Sequence, residues 1–193
     1  MISNKHREKL LNAILYFSGK VKYPTLVKIF KLLFFLDFSH FKETGRSVTN
    51  LVYYAWPYGP VPRELFFAIR DESSRPEDFR TSLNFIKQQT QKVEESIIFK
   101  PKATPNLKIF TPRERRLMDI LIEIYQDTTP AQMSEITHLK NSPWDKTRKE
   151  IGENEEISYD RAIDRDSPLS IEEGKEAYKE FLEEIENYSS KPL

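Results

Sequence analysis

The segment from Thr25 to Lys42 constrains this chain more than any other. Leu26, Val27, Ile29, Phe30, Leu32, Leu33, Phe34, Phe35, Leu36, Phe38 and Phe41 put apolar side chains around nearly the whole circumference of one helix. A helix that is apolar all round belongs in the middle of a domain. It is about 18 residues long and holds Lys28, Lys31, Asp37 and His40, so it reads as a core helix and not as a membrane span. Lys28 and Lys31 are expected to snorkel or to pair with a carboxylate. Gly45 is the expected stop. The remaining elements must wrap this helix, and 193 residues are enough for one domain, 1–193, that does so.

Residues 5–18 form an amphipathic helix in this reading, with Leu10, Leu11, Ile14 and Leu15 on one stripe and Gly19 as its stop. Leu51 to Ala55 suit a short strand. Next comes Trp56-Pro57-Tyr58-Gly59-Pro60-Val61-Pro62, where the prolines argue against regular structure and for a rigid loop that fixes Trp56 and Tyr58. A helix over about 61–71 follows, with Leu65, Phe66 and Ile69 as its apolar face. Residues 79–92 suit a helix through Phe79, Leu83 and Ile86. The apolar runs 96–100 and 107–110 read as a β-hairpin around Lys102 to Asn106.

Four helix starts carry the same signature. Thr111 is a cap followed by Pro112 and Glu114, Thr129 a cap followed by Pro130 and Gln132, and Ser142 a cap followed by Pro143. Ser170 with Glu173 opens a last helix, about 171–187. Residues 152–168 read as loop, and the tail from Ser189 as frayed. The fold class expected is mainly α (α+β), with a small β-hairpin and a short extra strand.

Composition excludes several chemistries. The chain has no cysteine, so it has no disulfide, thiol nucleophile or thiolate metal site, and its three histidines are few for a metal centre. No Gly-rich phosphate loop, GxSxG, HExxH or paired-carboxylate signature occurs. His40, with Asp37 and Glu43 at three-residue spacing, reads as a polar helix edge before a metal site. His138 reads as a buried histidine hydrogen-bonded between two short helices before a general base, because nothing marks a nucleophile for it. The expectation is a non-enzyme with no cofactor, no metal and no membrane segment, located in the cytoplasm.

The formal net charge is zero, yet residues 1–100 carry +6 and residues 101–193 carry −6. The two halves are expected to pair within one fold, though such a split can also steer a partner. Helices near 111–126 and 130–138, after a hairpin, permit a DNA-binding helix-turn-helix at 111–138. Its recognition face would offer Gln132, Ser134, Thr137 and His138 with Glu135 among them and no arginine, a poor reader of DNA. Nucleic acid is therefore the weaker partner class.

Lys31-Leu32-Leu33-Phe34-Phe35-Leu36-Asp37, Glu43-Thr44-Gly45, Tyr54-Ala55-Trp56-Pro57-Tyr58-Gly59-Pro60-Val61, Met133 to His138 and Pro143-Trp144 occur in an order and spacing that resemble the Panacea antitoxin domain family, also called SocA-like. The resemblance covers about residues 25–150, and the Trp-x-Tyr-Gly-Pro-Val element is its specific part. It implies a mostly helical, prophage-associated domain, the antitoxin of a toxin–antitoxin pair. Such a domain neutralises a cognate toxin protein by direct contact, and one branch delivers its toxin to a cytosolic protease. It implies no catalytic residue. Asp37, Trp56, Tyr58, Gly59, Pro60, Val61, His138 and Trp144 carry over as motif positions that define the fold or meet a partner, together with Leu32, Gly45 and Pro143. Trp56 and Tyr58 are expected either to plug the core or to anchor a partner, the toxin face otherwise lying on the basic N-terminal or acidic C-terminal helix.

Overall fold

A computed structural model describes residues 4–89 and 96–189. Its described elements are mainly helical, with two small antiparallel strand pairs. Helix α1 spans Asn4–Lys20 and runs through Gly19. Helix α2, Leu26–Thr44, is the central element, with 13 of its 19 residues buried. The Thr25 hydroxyl accepts from the Lys28 amide and opens it, and Gly45 closes it in the left-handed conformation at φ +68°. A Cβ at Gly45 would lie 2.5 Å from Ala177 of the last helix, so glycine serves both the turn and the helix contact.

Strands β1 (Tyr54–Trp56) and β2 (Gly59–Val61) form a tight hairpin with Ala55 opposite Pro60 and Trp56 opposite Gly59. The expected rigid loop is thus half strand. Pro60 is tolerated because β2 is a sheet edge, where a missing N–H costs no ladder bond. The other edge of β1 is covered by residues 154–157, through Ala55 N to Glu155 O and Ile157 N to Tyr53 O, 2.8 Å each.

Helix α3 spans Arg63–Arg70, and α4, Glu77–Ser82, is one short turn and a half. The helix expected over 79–92 is corrected: Leu83–Gln88 is strand β3, and residues 90–92 lie outside the described residues. Strand β3 pairs with β4, Ser96–Pro101, bringing Phe85 opposite Phe99. The hairpin partner expected at 107–110 is likewise corrected, since Leu107–Ile109 is a 3-10 turn. A six-residue segment can satisfy either periodicity, and the cross-strand partner decides it.

Helices α5 (Pro112–Tyr125), α6 (Pro130–Thr137) and α7 (Pro143–Glu150) begin at the expected caps, with complete capping boxes at Thr111/Glu114 and Thr129/Gln132. A 3-10 turn at Tyr159–Ala162 precedes α8, Ile171–Ser189, whose box closes through Glu173 N to Ser170 Oγ at 3.2 Å. The tail expected to fray lies, from residue 190 on, outside the described residues. Helices α1, α5, α6 and α8, strands β2 and β4 and the 3-10 turn at Tyr159–Ala162 all pack on α2. No described helix is long and apolar enough to cross a membrane.

The charge halves do pair. Lys9–Glu114, Lys42–Asp164 and Arg46–Glu184 cross between them, at 2.6, 2.7 and 3.0 Å.

Candidate functional site

The motif segments converge on one side of α2. Lys31 is 1% exposed, and its Nζ donates to the Pro60 carbonyl at 2.9 Å. Lys28, also buried, donates to the carbonyls of Lys22, Gln126 and Thr128 at 2.8, 3.0 and 2.6 Å. The carboxylate partner expected for these lysines is therefore corrected to backbone carbonyls, and neither side chain snorkels to solvent. Orphan carbonyls at turns and helix ends are the acceptors a buried ammonium can reach without a second buried charge. Burial pushes the Lys31 ammonium down to about 7, and that of Lys28 down to about 8 against the nearby Asp127.

Gly59 lies directly over this lysine at φ +104°. A Cβ there would sit 2.5 Å from Lys31 Nζ and 2.8 Å from Thr137 Oγ1. Beside it, the His138 ring stacks on Trp144 with centroids 4.0 Å apart and planes at 14°. Trp144 is buried and donates from Nε1 to the Trp56 carbonyl at 2.8 Å. The hairpin is thus pinned from below by Lys31 and from the side by Trp144.

His138 is half-buried where a buried histidine was expected; its ring is hydrogen-bonded to the Tyr58 backbone, while its Nε2 is shielded without a partner. Burial first, then the Lys31 charge, holds its pKa below the usual value. No carboxylate is hydrogen-bonded to the ring among the described residues.

Asp37 works two turns further along α2, fully buried. Its Oδ1 accepts from the amides of Val48 and Thr49 at 2.9 and 2.7 Å, and its Oδ2 from the hydroxyls of Thr49 and Tyr53 at 2.5 and 2.8 Å. Burial raises its pKa to about 6 against those four hydrogen bonds. The carboxylate fixes the segment that leads into β1. It is not available to His40, whose Nδ1 donates instead to the Arg46 carbonyl at 2.7 Å. Glu43 faces Arg113 at 3.6 Å. Among the described residues no group of three acidic or histidine side chains is placed to hold a metal.

The structure brings Trp56, Tyr58, Gly59, Pro60, Val61, His138 and Trp144 together and sets Asp37 apart as a clamp. Of the two aromatic residues held by prolines, Tyr58 is 83% exposed at the hairpin tip, and no core plug. Trp56 is half-buried, edge-on to Phe66 and Phe67 with centroids 5.0 and 6.4 Å away. Phe66, half-buried and packed against the core beside Leu65 and Ile69 as expected, also joins this outer cluster.

Sequence reasoning placed Phe66 on the apolar face but missed that Arg63, Phe67 and Arg70 form a stripe with it. The stripe's i, i+3, i+4, i+7 spacing was a readable signal, masked by the stronger buried pattern. It also missed Thr49 and Tyr53 as the partners of Asp37, for which no local signal exists.

In the candidate recognition helix, Thr137 is buried, and the Gln132 side chain is taken up by its own capping box. Met133 packs inward.

No curated protein and no solved structure matches the chain. A family model described as antitoxin SocA-like, Panacea domain, matches residues 29–145, close to the 25–150 expected. That span holds Lys31 and Asp37 on α2, the pinned hairpin and the His138–Trp144 stack. The chain belongs to the SocA-like antitoxin, Panacea domain family.

Proposed function

We propose that this protein is the antitoxin of a toxin–antitoxin pair and neutralises a cognate protein toxin in the cytoplasm by direct, stoichiometric, non-enzymatic binding. The family match over residues 29–145 carries this reading. The hairpin supports it, because its prolines, Lys31 and Trp144 fix a tyrosine in solvent. A pre-ordered aromatic loses little entropy on binding, which suits an anchor for a partner. Delivery of the bound toxin to a cytosolic protease is a further step of the same reading.

The test is to express the product of the adjacent open reading frame alone and with this protein. Growth arrest by the neighbour, rescued by this protein in a complex that co-purifies at fixed stoichiometry, is the expected outcome. A neighbour that is harmless, or that is neither bound nor rescued, removes the reading for that pair. A toxin half-life unchanged by this protein in cells would confine the mechanism to blocking.

A further inference from the structure

Helix α3 is amphipathic in an unusual way. Leu65 and Ile69 are buried, while Arg63, Phe66, Phe67 and Arg70 form the opposite stripe. Phe67 is 57% exposed. With Trp56 of the hairpin, the two phenylalanines make a cluster of edge-on rings at 5.0 to 6.4 Å. Beside them, Phe66, Phe67, Arg70, Asp71 and Ser74 line a groove of about 450 Å³. That volume lies within the ~300–1,000 Å³ of ligand-sized sites.

Two arginines frame this face. The Arg63 guanidinium lies over the Tyr54 ring at 4.1 Å, and that of Arg70 over Phe66 at 5.3 Å. Neither has a carboxylate partner among the described residues. Asp71, on the rim, keeps its negative charge and is held by the hydroxyls of Ser73 and Ser74, not by either arginine. Arg63 also donates from one terminal nitrogen to the Tyr54 hydroxyl at 3.1 Å, and the remaining edge N–H groups of both guanidinia match the oxygens of a carboxylate. The face therefore offers apolar contact at its centre and, at its border, two guanidinia without carboxylate partners against the single carboxylate of Asp71.

We propose that this face, built by the hairpin and the outer stripe of α3, is where the toxin docks, and that the docking segment of the toxin is apolar with acidic flanks. The proposal rests on the antitoxin reading and adds the surface and the chemistry of the partner to it. The charge pattern selects the occupant. A purely apolar segment would leave both guanidinia without carboxylates in a drying interface, and a basic segment would be repelled. A second copy of this chain is the competing occupant, since α8 carries Glu172, Glu176, Glu180 and Glu183.

The test uses the full chain and the adjacent reading-frame product, with three single variants. Phe67→Ser and Arg70→Glu change the face. Lys179→Glu, an exposed site on α8, is the control. Circular dichroism melts confirm that each variant is folded. The expected result is that Phe67→Ser and Arg70→Glu each weaken the complex at least ~30-fold, the size of a hot-spot loss. Lys179→Glu binds like the parent, and binding by the parent weakens as salt rises.

If the parent binds and rescues but the two face variants do so equally well, this proposal fails and the antitoxin reading stands. If the parent neither binds nor rescues, both fail. If the parent self-associates in light scattering and Arg70→Glu makes it monomeric without weakening toxin binding, the face belongs to a second copy and the proposal is overturned.

Discussion

Lys31 and Asp37 sit six positions apart on one helix, and each puts an ionisable group where water does not reach. They solve the problem differently. Asp37 receives four donors, whereas among its hydrogen bonds Lys31 has the single Pro60 carbonyl. Removing Asp37 orphans two buried amides, so Asp37→Ala is expected to cost about 3 kcal/mol or more, read by urea denaturation. For Lys31 the sign follows from its lowered value. Below pH 7 the lysine is charged in both the folded and the unfolded chain, and the burial cost is fully present. Between about 7 and the ordinary lysine value of 10.5 the folded chain has shed the proton and the unfolded chain has not, so stability rises with pH across that window. A Lys31→Met variant should show a smaller rise that begins only near pH 8, the part left to Lys28, and melting midpoints of both proteins from about pH 6.5 to 10 measure the difference. At Gly59, alanine would have to hold φ +104° and displace Lys31 Nζ, so Gly59→Ala is expected to destabilise by about 1–3 kcal/mol in the same assay.

At the scale of elements, the helix caps were legible because their chemistry is local. Thr111, Thr129, Ser142 and Ser170 each satisfy an amide three residues on, whatever packs above them. Glu114 shows where local reading stops. Its Oε2 closes the box at the Thr111 amide, while its Oε1 meets Lys9 of α1 at 2.6 Å in a buried pair. Thr111→Ala should therefore cost about 1 kcal/mol, as a lost cap does. Glu114→Gln should cost more, about 3 kcal/mol, because it strands a buried ammonium. Denaturation of the two variants and of Lys9→Met/Glu114→Gln separates the cap from the pair. Strand β3 was illegible for the opposite reason. Phe79, Leu83 and Ile86 fit a helix, and only β4, at positions 96–101, supplies the hydrogen bonds that make 83–88 a strand.

On the scale of the whole molecule, α2 organises everything and α8 finishes the cover. Gly174 of α8 lets Ile163 approach to where a Cβ would stand, 2.3 Å from its Cδ1, and Tyr178 meets Phe41 edge-on at 5.4 Å. This closure lies beyond the matched residues 29–145. Deleting the chain from Ser170 on should uncover Phe41 and Ile163, lower the melting temperature and bring in binding of a hydrophobic dye, which fluorescence reads directly. The docking face on α3 is remote in sequence from α8.

By itself the sequence determined that α2 is the buried centre, where most helices begin, that no thiol chemistry is available, and which segments carry the family motif. Those properties depend on side-chain type and on spacings of a few residues. Only the tertiary structure decided that Lys31 is held by Pro60, that Asp37 ties down residues 48–53, and that Tyr58 faces solvent while Trp144 does not. It also decided that the outer face of α3 keeps Phe67 in solvent while Phe66 reaches back to the core. Each of these joins residues far apart in the chain, and burial is a property of what the rest of the fold covers, which no local pattern records.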